Sequence, residues 1–322
     1  MGRAFTTTKR RQVTMTPLDA RVPANPVGWV LPAIVFSVIA CGGPSVSDPI
    51  PNGPDPNGGG RPEAVLVGAG DIASCDVDED EATAKLLDGI EGTVMAVGDI
   101  AYQSGTREEF ANCYEPTWGR HKSRTRPVPG NHDYRTENAA PYFETFGARA
   151  GPRDLGYYSY QLGSWRILAL NSNIDVGRNS PQAQWLLQDL AANPTLCALA
   201  YWHHPLFSSG EKGNFGQMRD FWRLLDAASV DVVVTAHDHD YERFGPQNAQ
   251  GVADPNGIRS FVVGTGGDTL DAFVDVKPNS EIRNATTHGV LMLELFAGRY
   301  EWEFLPIAGG TFSDGGRAEC MP

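Results

Sequence analysis

The sequence predicts a mixed α/β fold on three observations. Short apolar runs alternate with amphipathic, helix-period stretches from residue 64 onward. Several of those runs end in Gly-Asp or in a histidine string, as buried strands do where they hand over to a loop. The segment 157–173 has the alternation and central glycine of a β-hairpin, which puts antiparallel strands into the same domain.

In chain order, AVLVGAG at 64–70 reads as the first strand, Glu79 to Asp88 as a helix and TVMAVGDI at 93–100 as the second strand. Arg107 to Tyr114 reads as a helix that stops before Pro116, because proline has no amide to continue the ladder. A third strand leads into PGNHDY at 129–134, and a helix follows from Pro141 to Phe146. YYSYQLGSWRILALNSN at 157–173 is the hairpin, turning at Gly163. Gln182 to Ala192 and Gln217 to Ala228 are helical by periodicity, and each runs toward an apolar strand, ALAYWHHP at 198–205 and DVVVTAHDHD at 231–240. FVVGTGGD at 261–268 and the pair VLMLELFAGRYEWEFLPI at 290–307, turning at Ala297-Gly298, complete the strands. No internal repeat is visible.

The 322 residues, 41% hydrophobic and 20% charged, exclude global disorder and leave room for one large domain, expected over 63–322. Residues 1–40 read as an export signal: Lys9, Arg10 and Arg11 precede an apolar stretch from Trp29 to Ala40, too short and too interrupted by Pro32 and Ser37 to span a bilayer. The string VIAC at 38–41 resembles the bacterial lipoprotein processing box, which would make Cys41 a lipid anchor; a simple secretory signal or a buried N-terminal helix are the alternatives. Residues 41–62, rich in Gly, Pro, Asn and Ser, read as a linker that cannot bury enough apolar surface to order itself.

With 26 Lys+Arg against 39 Asp+Glu the net charge is −13, and loss of residues 1–40 would leave 21 against 38. Such a surface repels nucleic-acid backbones and anionic membrane, so no nucleic-acid partner is expected, membrane contact is expected only through Cys41, and small phosphate esters fit more easily than polyanions. Apart from Cys41, the four cysteines Cys75, Cys113, Cys197 and Cys320 permit two disulfides in an oxidising compartment, and their spacing matches no zinc cluster. Of three possible pairings, Cys75 with Cys113 and Cys197 with Cys320 is preferred, because the first two flank neighbouring loops and the last could staple the tail. Four buried free thiols are the alternative.

Five strings stand at the ends of five expected strands: GD at 70–71, GDIAY at 98–102, GNHD at 130–133, HHP at 203–205 and HDHDYER at 237–243. Strand carboxyl ends are where α/β proteins place their sites. Singly, each string has a plainer reading. Gly-Asp is a turn whose carboxylate caps a helix, Asn-His is loop hydrogen bonding, HHP a satisfied histidine pair, and Tyr102 a half-buried aromatic. The ordered set of five is what points to a metal centre.

That order resembles the calcineurin-like metallophosphoesterase superfamily, and Tyr102, three residues after Asp99, together with HDHDYER, is most similar to its purple acid phosphatase branch. The resemblance covers roughly residues 64–307 and implies a four-layer sandwich of two mixed β-sheets flanked by α-helices. Matched position by position, it implies two metal ions, one held by Asp71, Tyr102 and His239, the other by Asn131, His203 and His237, with Asp99 bridging. It further implies Fe(III) at the Tyr102 position and Zn, Fe or Mn(II) at the other, since hard oxygen and imidazole donors suit those ions. His203 is taken over His204 because the family pattern is His-x-Pro, ending here in Pro205; His204 then faces the substrate or packs beside the site, and the exchange of the two roles is the alternative. His132 is the expected group for protonating the leaving oxygen or stabilising negative charge there, with Asp133 fixing its tautomer. Two cations lowering the pKa of a bridging water would hydrolyse a phosphomonoester; a phosphodiesterase with the same metals, or a non-catalytic envelope protein binding phosphate or metal, are the alternatives. The loops from Gly147 to Arg153 and from Ser208 to Phe215 are expected to separate the first two. Two departures from the family pattern stand out, Ala73 where many relatives ligate through histidine and Ala236 where glycine is usual. Arg243 reads as a salt bridge holding the histidine loop rather than as a phosphate clamp.

Overall fold

The near-continuous apolar runs become strands buried on both faces, as AVLVGA at 64–69, ALAY at 198–201 and VVVT at 232–235 illustrate. The computed structural model describes residues 60–321, so the expected export signal, Cys41 and nearly all of the linker lie outside the described residues.

One sheet has the order β15(Gly315–Glu319), β14(Arg299–Pro306), β13(Gly289–Phe296), β1(Ala64–Ala69), β3(Thr93–Val97), β5(Thr125–Val128). The second has the order β12(Ser280–Asn284), β10(Tyr241–Gln247), β11(Ile258–Val263), β9(Val232–Thr235), β8(Ala198–Tyr201), β7(Trp165–Ala169), β6(Tyr158–Leu162). A two-stranded ribbon, β2(Ala73–Ser74) with β4(Ala101–Tyr102), joins the first two loops. Each large sheet is mixed: β1, β3 and β5 run parallel, as do β7, β8, β9 and β11, and antiparallel strands complete both.

The two-residue period of the strands sorts the core into layers. Leu199, Val232, Val234 and Phe261 of the second sheet share a cluster with Leu66, Val94 and Val97 of the first. The intervening residues Ala200, Trp202 and Val233 point the other way, into a second cluster with α4(Pro181–Ala192) and α5(Arg219–Ala227). Helix α4 starts on Ser180, whose hydroxyl accepts from Ala183 N, with Pro181 in the first turn. Helix α5 buries Phe221, Trp222 and Leu225, one helical stripe worth about 1.5–3 kcal/mol per side chain. On the first sheet, α1(Glu79–Asp88) packs along β13 through Ala84 and Leu87, and α3(Ala140–Phe146) supplies Tyr142, Phe143 and Phe146. The architecture is the expected sandwich of two mixed sheets with helices.

Besides the short β2 and β4, three strands of the large sheets carry no continuous apolar run and are absent from the sequence reading. β10 begins inside the string read as a loop, at Tyr241, and contains Glu242, Arg243 and Pro246; β12 is SEIRN and β15 GGRAE, both at sheet edges. Their pairing is set by tertiary context. The expected helix from Arg107 is α-helical only as α2(Arg107–Glu109), after which a π-helix carries the chain to Tyr114.

Both preferred disulfides are present, Cys75–Cys113 and Cys197–Cys320, and they are consistent with an oxidising compartment. No helix among the described residues is long and apolar enough to cross a membrane. The second bridge closes 123 residues and fastens the end of β15 to the start of β8. Replacing both Cys197 and Cys320 by alanine is expected to lower unfolding free energy by about 2–5 kcal/mol in urea titration, with β15 amides exchanging first. An unchanged urea midpoint would contradict it.

Candidate metal centre

Parallel neighbours deliver their exit loops at one edge of a sheet, and here two Gly-Asp exits are zipped together. Asp71 N donates to Gly98 O at 3.0 Å, Ile72 N to Asp99 O at 3.0 Å and Ala73 N to Ile100 O at 3.1 Å, running on into the β2–β4 ribbon. Asp71 (φ 57°), Asp99 (φ 51°) and His237 (φ 74°) all lie in the left-handed region, a cost of about 1–3 kcal/mol each that the surrounding hydrogen bonds must offset. Gly130 is held to glycine by contact: a Cβ there would lie 2.1 Å from Asp99 Oδ1. Tyr102 is fixed from behind by Glu109, whose carboxylate accepts from the amides of Gln103, Ser104 and Thr106 in the capping box of α2.

All seven expected ligands come together and are buried or nearly so, as two overlapping groups of donor atoms. In the first, Tyr102 Oη lies 2.7 Å from Asp71 Oδ1, 3.1 Å from His239 Nε2 and 3.2 Å from Asp99 Oδ2, and His239 Nε2 lies 3.3 Å from Asp71 Oδ1. In the second, His203 Nε2 lies 3.2 Å from Asp99 Oδ2, from Asn131 Oδ1 and from His237 Nδ1. Asp99 Oδ2 belongs to both. Donors about 2.0–2.2 Å from a shared tetrahedral ion are separated by roughly 3.3–3.6 Å; the spacings here fall at or below the lower end of that range, so the donors converge on two points and would spread slightly to seat ions.

Backbone carbonyls orient two of the imidazoles: His203 Nδ1 meets Val97 O at 2.9 Å and His239 Nδ1 meets Thr269 O at 2.8 Å, which turns each Nε2 toward the carboxylates. His237 N donates to Asp71 Oδ2 at 2.8 Å, and His132 N to Asp99 Oδ1 at 2.7 Å. Such carbonyl braces carry no side-chain signature, so the sequence reading could not name Thr269 or Val97.

His132 lies at the rim, its Nε2 3.8 Å from Asp99 Oδ2, its ring against Tyr102 with centroids 4.4 Å apart. Asp133 does not fix its tautomer, contrary to expectation. The Asp133 carboxylate turns inward to accept from Gly130 N at 2.8 Å and from Ile100 N, while His132 Nδ1 meets Gln103 O at 2.8 Å. Asp133 therefore ties the Asn131 loop to the Asp99 loop. His204 stacks on Phe215 (4.5 Å), meets Ser172 Oγ through Nδ1 at 2.8 Å and lies beside His203 and His237, with whose ligand atoms its own clusters within 4.8 Å. Arg243 pairs with Asp314 and Glu281, as the plainer reading had it. Of the two loops expected to select the ester, 208–215 borders the site, its Lys212 and Gly213 amides donating to Asp238.

The charges are mutually dependent. Burial alone would push the Asp71 and Asp99 carboxyls up, but His239 and His203 outweigh it and hold both below the ordinary range. Burial likewise would push His203 and His239 down, and the facing carboxylates instead raise each to about 9. His237, buried beside the His203 cation, is pushed down to about 3. Burial, then Asp99, pushes Asp133 up to about 8.

The family model for calcineurin-like phosphoesterases matches residues 62–241, more than half of the chain and every residue of the donor cluster. The chain belongs to the calcineurin-like phosphoesterase family. Its relatives include purple acid phosphatase 22 of Arabidopsis thaliana, 29% identical over 67% of this chain and 55% of the relative, and purple acid phosphatase 18 of the same plant, 28% identical over 58% and 47%. The chain thus spans about half the length of these curated relatives. A solved purple acid phosphatase from yellow lupin (Lupinus luteus) seeds shares the fold, with a TM-score of 0.64 at 21% identity, over 80% of this chain and 53% of that one. Membership of this family implies a dimetal site, and the donor cluster fits one.

A histidine whose folded pKa exceeds its unfolded value of about 6.5 adds stability below that pH and loses it as pH climbs through the folded value. Chelator-stripped protein is therefore expected to lose thermal stability between pH about 6.5 and about 9, the window of His203 and His239. Asp71→Asn or Asp99→Asn should flatten the dependence; a midpoint independent of pH in the unsubstituted protein would refute it.

Proposed function

We propose that the chain is a metal-dependent hydrolase of phosphate esters, acting on small phosphomonoesters through a binuclear centre of the purple acid phosphatase kind. The observation that carries this reading is Asp99 Oδ2, in contact range of both donor groups. In this reading Asp71, Tyr102 and His239 would hold one ion and Asn131, His203 and His237 the other, with Asp99 shared between them. Burial, then Asp71 and Asp99, push the Tyr102 phenol well above its ordinary range. A phenol among hard oxygen donors suits Fe(III) there, with Zn, Fe or Mn(II) opposite.

Two such ions, when bound, supply Lewis acidity toward the phosphoryl oxygens and acidify a water. The chain's own groups do the rest. His132, at the rim with Nε2 3.8 Å from Asp99 Oδ2, is the group placed to pass a proton to the leaving oxygen, and the Arg135 fork that donates to the same Nε2 must yield that atom for the step. His204, neutral because burial and its imidazole neighbours push it down, closes the site beside His237 and orients the ester. Asp133 is a positioning residue that fixes the Asn131 and Asp99 loops relative to one another. The disulfides support export, with or without a lipid at Cys41.

Metal analysis, a visible spectrum and turnover of nitrophenyl phosphate test the reading together. A tyrosinate-to-iron charge-transfer band that disappears in Tyr102→Phe is expected. A colourless zinc or manganese protein with full activity sinks the iron assignment, and absence of turnover with iron, zinc or manganese sinks the hydrolase reading.

A further inference from the structure

Arg135 closes the string GNHDYR two residues after Asp133, and its side chain folds back over the site rim rather than outward. Its Nη1 donates to Gln103 O at 2.8 Å and its Nη2 to His132 Nε2 at 3.1 Å. Gln103 O thereby receives both the guanidinium and the His132 Nδ1 edge, at 2.8 Å each. One imidazole separates the guanidinium from Asp99, since His132 Nε2 lies 3.8 Å from Asp99 Oδ2.

Two of the five N–H groups of the fork are engaged, both by neutral partners, and the rest are left for another acceptor. Arg135 is exposed and makes no ion pair among the described residues. Other cations around the site are already neutralised: Lys212 pairs with Asp271, and Arg243 with Asp314 and Glu281. An uncompensated, pre-oriented guanidinium beside a buried carboxylate centre is unusual in a chain of net charge −13. Its two anchors hold the fork in place, so binding an anion costs little side-chain entropy.

From this arrangement we infer that Arg135 binds a phosphoryl oxygen of the substrate and selects doubly charged phosphate monoesters over singly charged diesters. The inference rests on the hydrolase reading above and adds to it the residue that sets its preference for the monoester. A terminal phosphoryl group presents its second negative charge where a diester presents a second carbon arm. A cation at the rim therefore rewards the monoester, by charge-assisted hydrogen bonding of a kind available to Arg and only partly to Lys.

The test uses the metal-loaded full chain and its Arg135→Ala and Arg135→Lys variants. KM for nitrophenyl phosphate and the inhibition constant of inorganic phosphate are each expected to rise about tenfold or more in Arg135→Ala, with partial recovery in Arg135→Lys. Turnover of bis-nitrophenyl phosphate should change less than about threefold, so the monoester-to-diester ratio falls. Equal losses on both esters, or an unmoved phosphate constant, overturn the assignment. Direct phosphate titration by calorimetry gives a readout without catalysis. If the unsubstituted protein turns over neither ester, the hydrolase reading fails by itself, and weaker phosphate binding in Arg135→Ala still upholds the role of Arg135. Because the side chain is exposed, thermal midpoints of all three proteins should coincide.

Discussion

Three backbone hydrogen bonds between the loops after β1 and β3 govern the site. They run from Asp71, Ile72 and Ala73 to Gly98, Asp99 and Ile100, and they fix two carboxylates side by side in the interior. They help to hold Asp71 and Asp99 in backbone conformations that L-amino acids avoid. The parallel pairing of β1 with β3 sets the register that makes the zipper possible, and the β2–β4 ribbon extends it to Tyr102.

Placing two carboxylates there creates a charge problem that the second sheet solves. An unpaired buried carboxylate is strongly unfavourable, and replacing one partner of a buried pair costs about 3–5 kcal/mol. β8 delivers His203 and the loop after β9 delivers His237 and His239, so each sheet brings the sign of charge that the other lacks. The sandwich is thus held at this edge by electrostatics and elsewhere by the shared apolar cluster. Imidazoles serving as counter-ions are also positioned to become metal ligands, because the same Nε2 atoms face the same oxygens; a proton and a metal ion compete for one place.

Much of this was legible in the sequence, for identifiable physical reasons. The central parallel strands announce themselves because burial on both faces demands unbroken apolar runs, and ligand residues follow them because exit loops gather at the strand ends. What was illegible depends on tertiary context. β12 and β15 are polar edge strands whose pairing comes from a neighbour's free backbone groups. The role of Asp133 could not be read because a carboxylate beside a histidine suggests a tautomer partner, while the direction in which it turns, toward Gly130 and Ile100, is decided by the loop. The carbonyls of Val97, Gln103 and Thr269 orient imidazoles through atoms every residue possesses.

The methyl of Ala236, at the position where the family resemblance implies glycine, packs directly against Gly70. Ala236 is fully buried, and its amide donates to His203 O at 2.9 Å, coupling the two histidine loops. The space its Cβ fills is the space a side chain at residue 70 would need: a Cβ on Gly70 would stand 2.5 Å from it, and 2.6 Å from Val97 O. Gly70 leads directly into Asp71, so the first Gly-Asp string requires glycine for packing as well as for its turn. Gly70 is barred from carrying a side chain twice over, by the Ala236 methyl and by the Val97 carbonyl. Ala236 and Gly70 thus meet between the two sheets, and this close fit, with the His237 amide donating to Asp71 Oδ2, holds the Asp71 and His237 loops against one another.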